Sequence, residues 1–597
     1  MGRVGSLGVQ RGAWSDPRAP VGSLDVQRDH GMTKSVDLLI HGGTVVDGSG
    51  APGFAADVAV IGDRLRILPR STRAAGQSAS ADGIRGAQEA TGRSQEPGDG
   101  WTRDATVYAA RRIDATDHVV APGFIDLHSH AGLTMLAEPR HEPKVRQGVT
   151  TEVIGVDGNS YAPFTNQQDL DDFRTLNAGL DGRPDIAYDW RTVGDYLDRF
   201  ERRVSVNVAY LIGNSALRIA AVGWDEVPAD ARTMDRQRGL LREGMEDGAF
   251  GLSSGLDYPP GSYATTDELA ALLTEAARLG GIYHTHVRYD LGDRFLDPFR
   301  EAIEIGRRGG GPAHITHFYH RRHYPGTPDQ LLALVDDARA HGQDVTFDLY
   351  PDEWSSTRLL IMLPPWIQAG GVARLKERLA DRATRARIRD KMAARGRFFA
   401  GDGTWADLRL GAFARPEHLR WEGRTLAEYM AETGKDPVDA ICDLLLAEDL
   451  RVNQVAPGPH QAGTIPFWRH PVSMIGSDGV MIADKPAPRT YGTFPRILGE
   501  FVREDRLTSL EEAVRKMTSA PATRLGLLDR GLLRDGMKAD VVVFDPVTVR
   551  SQATYDDPRR FPVGIPTVVV NGQLVVDDGE HTGALPGRAL RRGRPTD

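Results

Sequence analysis

Between residues 119 and 480 the chain alternates short apolar runs with helix-length segments. Eight runs stand out: FIDLH (124–128), VTTEVI (149–154), VSVNVAYLI (204–212), AFGLSS (249–254), GIYHTHV (281–287), AHITH (313–317), VTFDLY (345–350) and SMIGSD (473–478). Strands separated by helices imply parallel βαβ units. Eight of them predict an α/β fold, a (β/α)8 TIM barrel within 119–529, with its active site at the C-terminal strand ends. The gap between the seventh and eighth runs is too long for one helix, so about 352–470 is expected to form an inserted helical subdomain or lid.

The flanks have a different texture. VDLLIHGGTVVDG and FAADVAVIGDRLRIL near the start, and ADVVVFD and GIPTVVVNGQLVVDDG after 530, read as short strands between Gly and Asp turns. The two ends, 33–118 and 530–590, are expected to build one small β-sandwich beside the barrel. Residues 71–107 are polar and rich in small side chains, which predicts a disordered insertion. Residues 1–31 lack periodicity and repeat VGSLGVQR as VGSLDVQR, so a disordered tail, or a start at Met32, is expected.

With 597 residues, 40% hydrophobic and 26% charged, the chain can bury a large core. A net charge of -9 without a basic stripe argues against a nucleic-acid partner. No apolar run approaches the ~18 residues of a membrane span. Cys442 is the single cysteine, which excludes an intrachain disulfide and a thiolate metal cluster and suits a cytoplasmic setting.

Candidate chemistry gathers at the strand ends. His128 and His130, two apart at the end of the first run, share one face and can grip one cation. Asp157 follows the second run, His286 ends the fifth, His317 the sixth and Asp478 the eighth. Imidazoles and carboxylates suit zinc and its neighbours. Taken singly, His286 and His317 read equally as hydrogen-bonded core histidines, and Asp157 and Asp478 as turn residues. Those readings do not explain why all six fall at one rim of one barrel.

The phrases DLLIHGGTVVDGSGAPG, APGFIDLHSH, QGVTTEVIG, REGMEDGAFGLSSGLDYPPGSYA, IMLPPWIQAGG, IGSDG and PRTYGTFPRILGEFVRE, spread over most of 35–590, resemble the D-aminoacylase (N-acyl-D-amino-acid deacylase) family of the amidohydrolase superfamily. The resemblance implies a hydrolase of linear amides that releases a D-amino acid from a small N-acyl precursor. It implies one or two Zn2+ per chain, with Mn2+ or Co2+ as alternatives. His128, His130 and Asp478 match the residues around one metal position, and His286 and His317 those of the other. The family's bridging cysteine is replaced here by Asp157, in GVDG; none of the eight lysines ends a barrel strand to offer a carbamylated bridge. Asp478 is the expected proton shuttle. Tyr258, Tyr350 and Arg489 match positions near the substrate, and Arg288 a recurrent motif residue. Tyr319, which is also expected to contact substrate, stands where the family often has lysine, and Asn214 where it often has histidine. Ala131 and Gly132 replace the acidic residues that often follow HxH. Two other readings stay open: a cyclic-amide hydrolase like dihydroorotase or hydantoinase, and a metal-poor paralogue that binds a small molecule without turnover. The sequence leaves oligomeric state and acyl preference open.

Overall fold

The computed structural model describes residues 34–70, 107–289, 295–322, 324–395 and 403–594. The expected tail at 1–31 and all but the last residue of the expected insertion at 71–107 lie outside them.

Eight parallel strands form the barrel, and each coincides with one of the eight apolar runs, the third and fourth extending one residue past it. They are Phe124–Asp126, Val149–Ile154, Asn207–Tyr210 continued by Ile212–Gly213, Gly251–Gly255, Ile282–His286, Ala313–Ile315, Val345–Leu349 and Ser473–Ile475. Neighbours pair in parallel in that order. Every residue of Val149–Ile154 is buried, as expected of a parallel strand covered on both faces. The ring closes where the first and eighth strands extend side by side. Leu127 N donates to Ile475 O at 3.2 Å, Asp478 N to His128 O at 2.9 Å and His130 N to Gly479 O at 3.1 Å. This closure brings two segments 350 residues apart into register.

Helices such as Ala231–Glu246, Thr266–Arg278, Asp297–Gly309 and Pro328–Ala340 cover the outside. Thr266–Arg278 shows the local logic. Thr265 caps its N-terminus by accepting from Glu268 N, and Leu269, Leu272, Leu273 and Ala276 form the apolar stripe turned inward.

Between the seventh and eighth strands lies an insert with helices Gly371–Ala380, Arg382–Arg395, Leu426–Thr433 and Pro437–Ala447. It also holds an antiparallel sheet, ordered Trp354–Arg358, Asn453–Pro457, Arg409–Gly411, that the helical expectation did not include. The stretch WSSTR is polar and reads as loop because its hydrophobic alternation is absent. Leu375, Leu410, Ile441, Leu444 and the free, buried Cys442 belong to the insert's own core.

The chain ends meet in a ten-stranded sheet. Val541–Phe544 lies antiparallel between Val119–Pro122 and Thr567–Val570, and Thr44–Val45 runs parallel to Val119–Pro122. Gly123 leads from this sheet into the barrel, and a Cβ there would sit 2.2 Å from the Thr150 side chain. Only glycine fits that crossing. No helix among the described residues is long and apolar enough to cross a membrane.

Candidate metal centre and active site

Three of the six candidate ligands sit on backbone with positive φ: Asp157 at 52°, His317 at 35° and Asp478 at 50°. Such conformations are uncommon outside glycine and cost energy that the surrounding fold must supply. The GVDG turn shows how. Gly155 and Gly158 have φ of 77° and 68°, and a Cβ on Gly155 would lie 2.1 Å from Leu211 O. The turn therefore folds tightly against the third strand and presents Asp157 to the barrel mouth. Asp tolerates the left-handed region better than most residues.

All six residues are buried and converge in two groups that share Asp157. In the first, His128, His130, Asp157 and Asp478 each offer an atom within 4.8 Å of the others. His128 Nε2 lies 3.3 Å from Asp157 Oδ2 and 3.6 Å from Asp478 Oδ1. His130 Nε2 lies 3.7 and 3.4 Å from the same two oxygens. In the second, His286 Nδ1 is 3.6 Å and His317 Nε2 3.9 Å from Asp157 Oδ2, and the two imidazoles are 3.0 Å apart.

These donors fit a metal ion. Ligands held at about 2.0–2.1 Å by one tetrahedral zinc lie about 3.3 Å from each other, close to the separations here. Both ring nitrogens of His128 and Oδ1 of Asp157 are buried and make no hydrogen bond. Unsatisfied polar atoms of that kind, crowded together, are what a cation would complete.

A ring of outer partners aims the imidazoles. His130 Nδ1 meets Asp181 at 3.0 Å, and Tyr161 donates to the other oxygen of that carboxylate. His286 Nε2 meets Asp257 at 3.2 Å, and His317 Nδ1 meets the Tyr289 hydroxyl at 2.9 Å. Asp348, on the seventh strand, accepts from His317 N and bonds His314 Nε2. Partners of this type set the tautomer that leaves the inner nitrogen free to ligate. None of Asp181, Asp257, Tyr289 and Asp348 is among the residues singled out from the sequence. Only Asp257 and Tyr289, each next to a singled-out residue, had a positional signal there.

Charge balance holds the cluster together. Burial pushes the Asp157 carboxyl up, but His128, His130 and His286 hold it well below the usual carboxylate range. Burial likewise opposes ionisation of Asp478, and Arg489 with His128 and His130 overcomes it. Burial would lower His286, yet Asp157 and Asp257 lift it to about 9. His317 goes the other way, because burial and the adjacent His286 outweigh Asp157.

A pocket opens beside the second group, lined among others by Tyr258, Tyr319, Arg321 and Tyr350. Tyr258, Tyr319 and Tyr350 were the expected substrate tyrosines, and all three face it. The two expected arginines do not. Arg288 donates to Glu301 and to the carbonyls of Ser262 and Ala264, which ties down a loop. Arg489 is fully buried and donates to Asp478 O at 2.8 Å, with its Nη2 2.8 Å from Asp478 Oδ2. Both guanidiniums are drawn to nearby anions and carbonyls, a pairing invisible in linear sequence. Asn214, the first residue of the helix after the third strand, donates to Gly261 O at 2.9 Å in the turn that follows the fourth strand.

Comparison with known proteins agrees with this architecture. Residues 111–576 match the amidohydrolase family. The chain is 33% identical over 562 residues to D-aminoacylase of Alcaligenes xylosoxydans xylosoxydans, covering 93% of this chain and 98% of that protein. It is 34% identical over 564 residues to N-acyl-D-glutamate deacylase of the same organism, covering 94% and 98%. A crystal structure of N-acyl-D-glutamate deacylase from Bordetella bronchiseptica, complexed with zinc and a phosphonate inhibitor that mimics the tetrahedral intermediate, superposes with a TM-score of 0.73 at 30% identity, covering 94% of this chain and all of that one. With a match across most of its length and relatives aligned almost end to end, this chain belongs to the amidohydrolase family.

Proposed function

We propose that this protein hydrolyses the amide bond of N-acyl-D-amino acids, releasing a carboxylate and a free D-amino acid, with zinc held by His128, His130, Asp157, His286, His317 and Asp478. The observation that carries the proposal is the pair of donor groups joined through Asp157 and bordered by a pocket. The substrates named for the relatives, N-acyl-D-amino acids, supply the bond to be broken. Lys144 is buried against Asp126 and Ser477 rather than at the mouth, so Asp157 is the bridging candidate.

Bound zinc supplies an acidified water and polarises the acyl carbonyl. Asp478 takes a proton from the attacking water and returns it to the departing amine, which an amide needs because its nitrogen leaves poorly unprotonated. Arg489 holds one oxygen of that carboxylate and leaves Oδ1 facing His128 and His130. Tyr258, with its hydroxyl 3.1 Å from Thr357 Oγ1 and its ring 4.9 Å from that of His286, borders the place where the carbonyl would lie.

Zinc-reconstituted protein assayed against paired N-acetyl-D- and N-acetyl-L-amino acids and a hydantoin tests the reading. Turnover restricted to the D-series is expected, with none on the hydantoin. Asp478→Asn is expected to lose at least about a hundredfold in kcat, in line with general acid–base catalysis. Near-normal turnover by that variant would overturn the shuttle. Preferred opening of the hydantoin would overturn the linear-amide assignment.

A further inference from the structure

Lys144 is fully buried, in the short helix Glu142–Val145 ahead of the second strand. An ammonium taken out of water needs an anion and hydrogen-bond acceptors around it. Lys144 Nζ has both, donating to Asp126 Oδ2 at 2.8 Å and to Ser477 Oγ. Asp126 ends the first strand and Ser477 lies just past the eighth, so the ammonium sits at the seam where the barrel closes. The Asp126 carboxylate orders both ligand-bearing segments. Its Oδ1 accepts from His128 N at 3.1 Å and from Ser477 N at 2.8 Å, and its Oδ2 accepts from Ser477 Oγ at 2.5 Å. Gly479 N donates to Ser477 Oγ at 3.1 Å, and Asp478 N to His128 O at 2.9 Å. Each backbone N–H from Ser477 to Gly479 is therefore engaged, and these bonds fix the turn in which Asp478 takes its positive φ of 50°. Further along the Lys144 segment, Gln147 donates to Thr490 O at 2.9 Å and accepts from Phe494 N at 3.2 Å, which fastens the helix that carries Arg489.

We propose that Lys144 is a positioning residue for the reaction: through Asp126 and Ser477 it holds the backbone turn that aims Asp478, and it contributes neither ligand nor proton. This rests on the reading of Asp478 as the proton shuttle and adds what keeps that carboxylate in place. A left-handed backbone outside glycine persists only where its surroundings over-determine it. Here the determinant is a charged carboxylate that accepts from two backbone N–H groups and a hydroxyl, and an ionised acceptor makes stronger hydrogen bonds than a neutral one. Asp126 can stay ionised in the interior because Lys144 pairs with it. Without the ammonium the buried carboxylate loses its counter-charge, Ser477 Oγ loses a donor, and the turn is free to relax.

Ser477→Ala cuts the link to the turn and leaves the Lys144–Asp126 pair in place. For zinc-loaded full-length protein on the fastest substrate of the D-series panel, kcat is expected to fall by about ten- to a hundredfold with KM within about threefold. Zinc affinity in a chelator competition is expected to fall by about tenfold, as for other residues that orient a ligand. In an Asp478→Asn background the same substitution is expected to change kcat by less than about twofold, because the group it positions is already disabled. Lys144→Met is expected to show the same dependence on background, and Ser477→Ala decides the matter should that chain fail to fold. An equal fall in kcat in both backgrounds would make the role purely structural and overturn the proposal. Unchanged kcat and zinc affinity in Ser477→Ala would overturn it as well, and leave the shuttle standing. Near-normal turnover by Asp478→Asn alone would overturn the shuttle reading, and this proposal with it.

Discussion

Replacing Arg489 by methionine separates two roles that the motif RTYGTFPR allows, a substrate anchor and a support for the catalytic carboxylate. Geometry favours the support. Nη2 lies 2.8 Å from Asp478 Oδ2, Nε donates to Asp478 O, and Nη1 donates to Trp354 O at 3.1 Å, with 1% of the residue exposed. Losing a hydrogen bond to a charged group costs about 1.5–3 kcal/mol. At 1.36 kcal/mol per decade this is a fall of about 10- to 150-fold in rate. Because the loss sits on the proton shuttle, it is expected in kcat, with KM within about threefold of the parent. The pH profile carries a second signature. Burial pushes Asp478 up, while Arg489, His128 and His130 hold it ionised. Without the guanidinium its proton affinity rises, so the acid limb of kcat moves to higher pH by about 1–3 units. Arg489→Lys keeps one donor and is expected to fall between the two. Steady-state kinetics across pH, with circular dichroism and metal content as controls, reads all three effects. A KM raised more than about tenfold with kcat and its acid limb unchanged would show that Arg489 binds substrate, and would refute the reasoning.

Tyr289→Phe removes the hydroxyl partner of His317 Nδ1 and is expected to weaken zinc binding by about 10- to 100-fold in a chelator competition; unchanged affinity would remove Tyr289 from the site. In the metal-free chain Asp157 and Asp257 lift His286 to about 9, and a metal needs the neutral ring, so apparent zinc affinity is expected to climb with pH from neutrality through that value. The same raised value means that the proton on His286 stabilises the metal-free fold below about 6.5, and that this contribution fades as pH rises through about 9, which urea titrations of the metal-free protein at either end would register. Gly123→Ala drives a Cβ to 2.2 Å from Thr150 and is expected to destabilise by about 1–3 kcal/mol. Thr150→Ala in the same chain is expected to recover part of that loss, and strict additivity in denaturation would argue against the clash.

How far the chain can be read follows from which forces are local. The eight barrel strands are legible because a parallel strand buried on both faces needs an apolar run, as Val149–Ile154 and Val345–Leu349 have. His128 and His130 are legible for the same reason: strand geometry puts residues two apart on one face. Arg288 and Arg489 defeat sequence reading because a guanidinium near a binding site looks the same whether it faces ligand or protein. Their partners Glu301 and Asp478 are known only once the fold is closed. The outer carboxylates fail differently. Asp181 reaches His130 across 51 positions and Asp348 reaches His317 N across 31, with no spacing rule linking them. The strand Trp354–Arg358 is hidden by its own polarity: Ser356, Thr357 and Arg358 are buried, yet they are held by hydrogen bonds rather than by apolar packing. Within this family scaffold, the metal centre therefore follows from strand ends that any reader of the periodicity can find. The pocket's far wall is harder to find, because it includes a strand of the insert that looks like a loop until its partner Asn453–Pro457 is placed beside it.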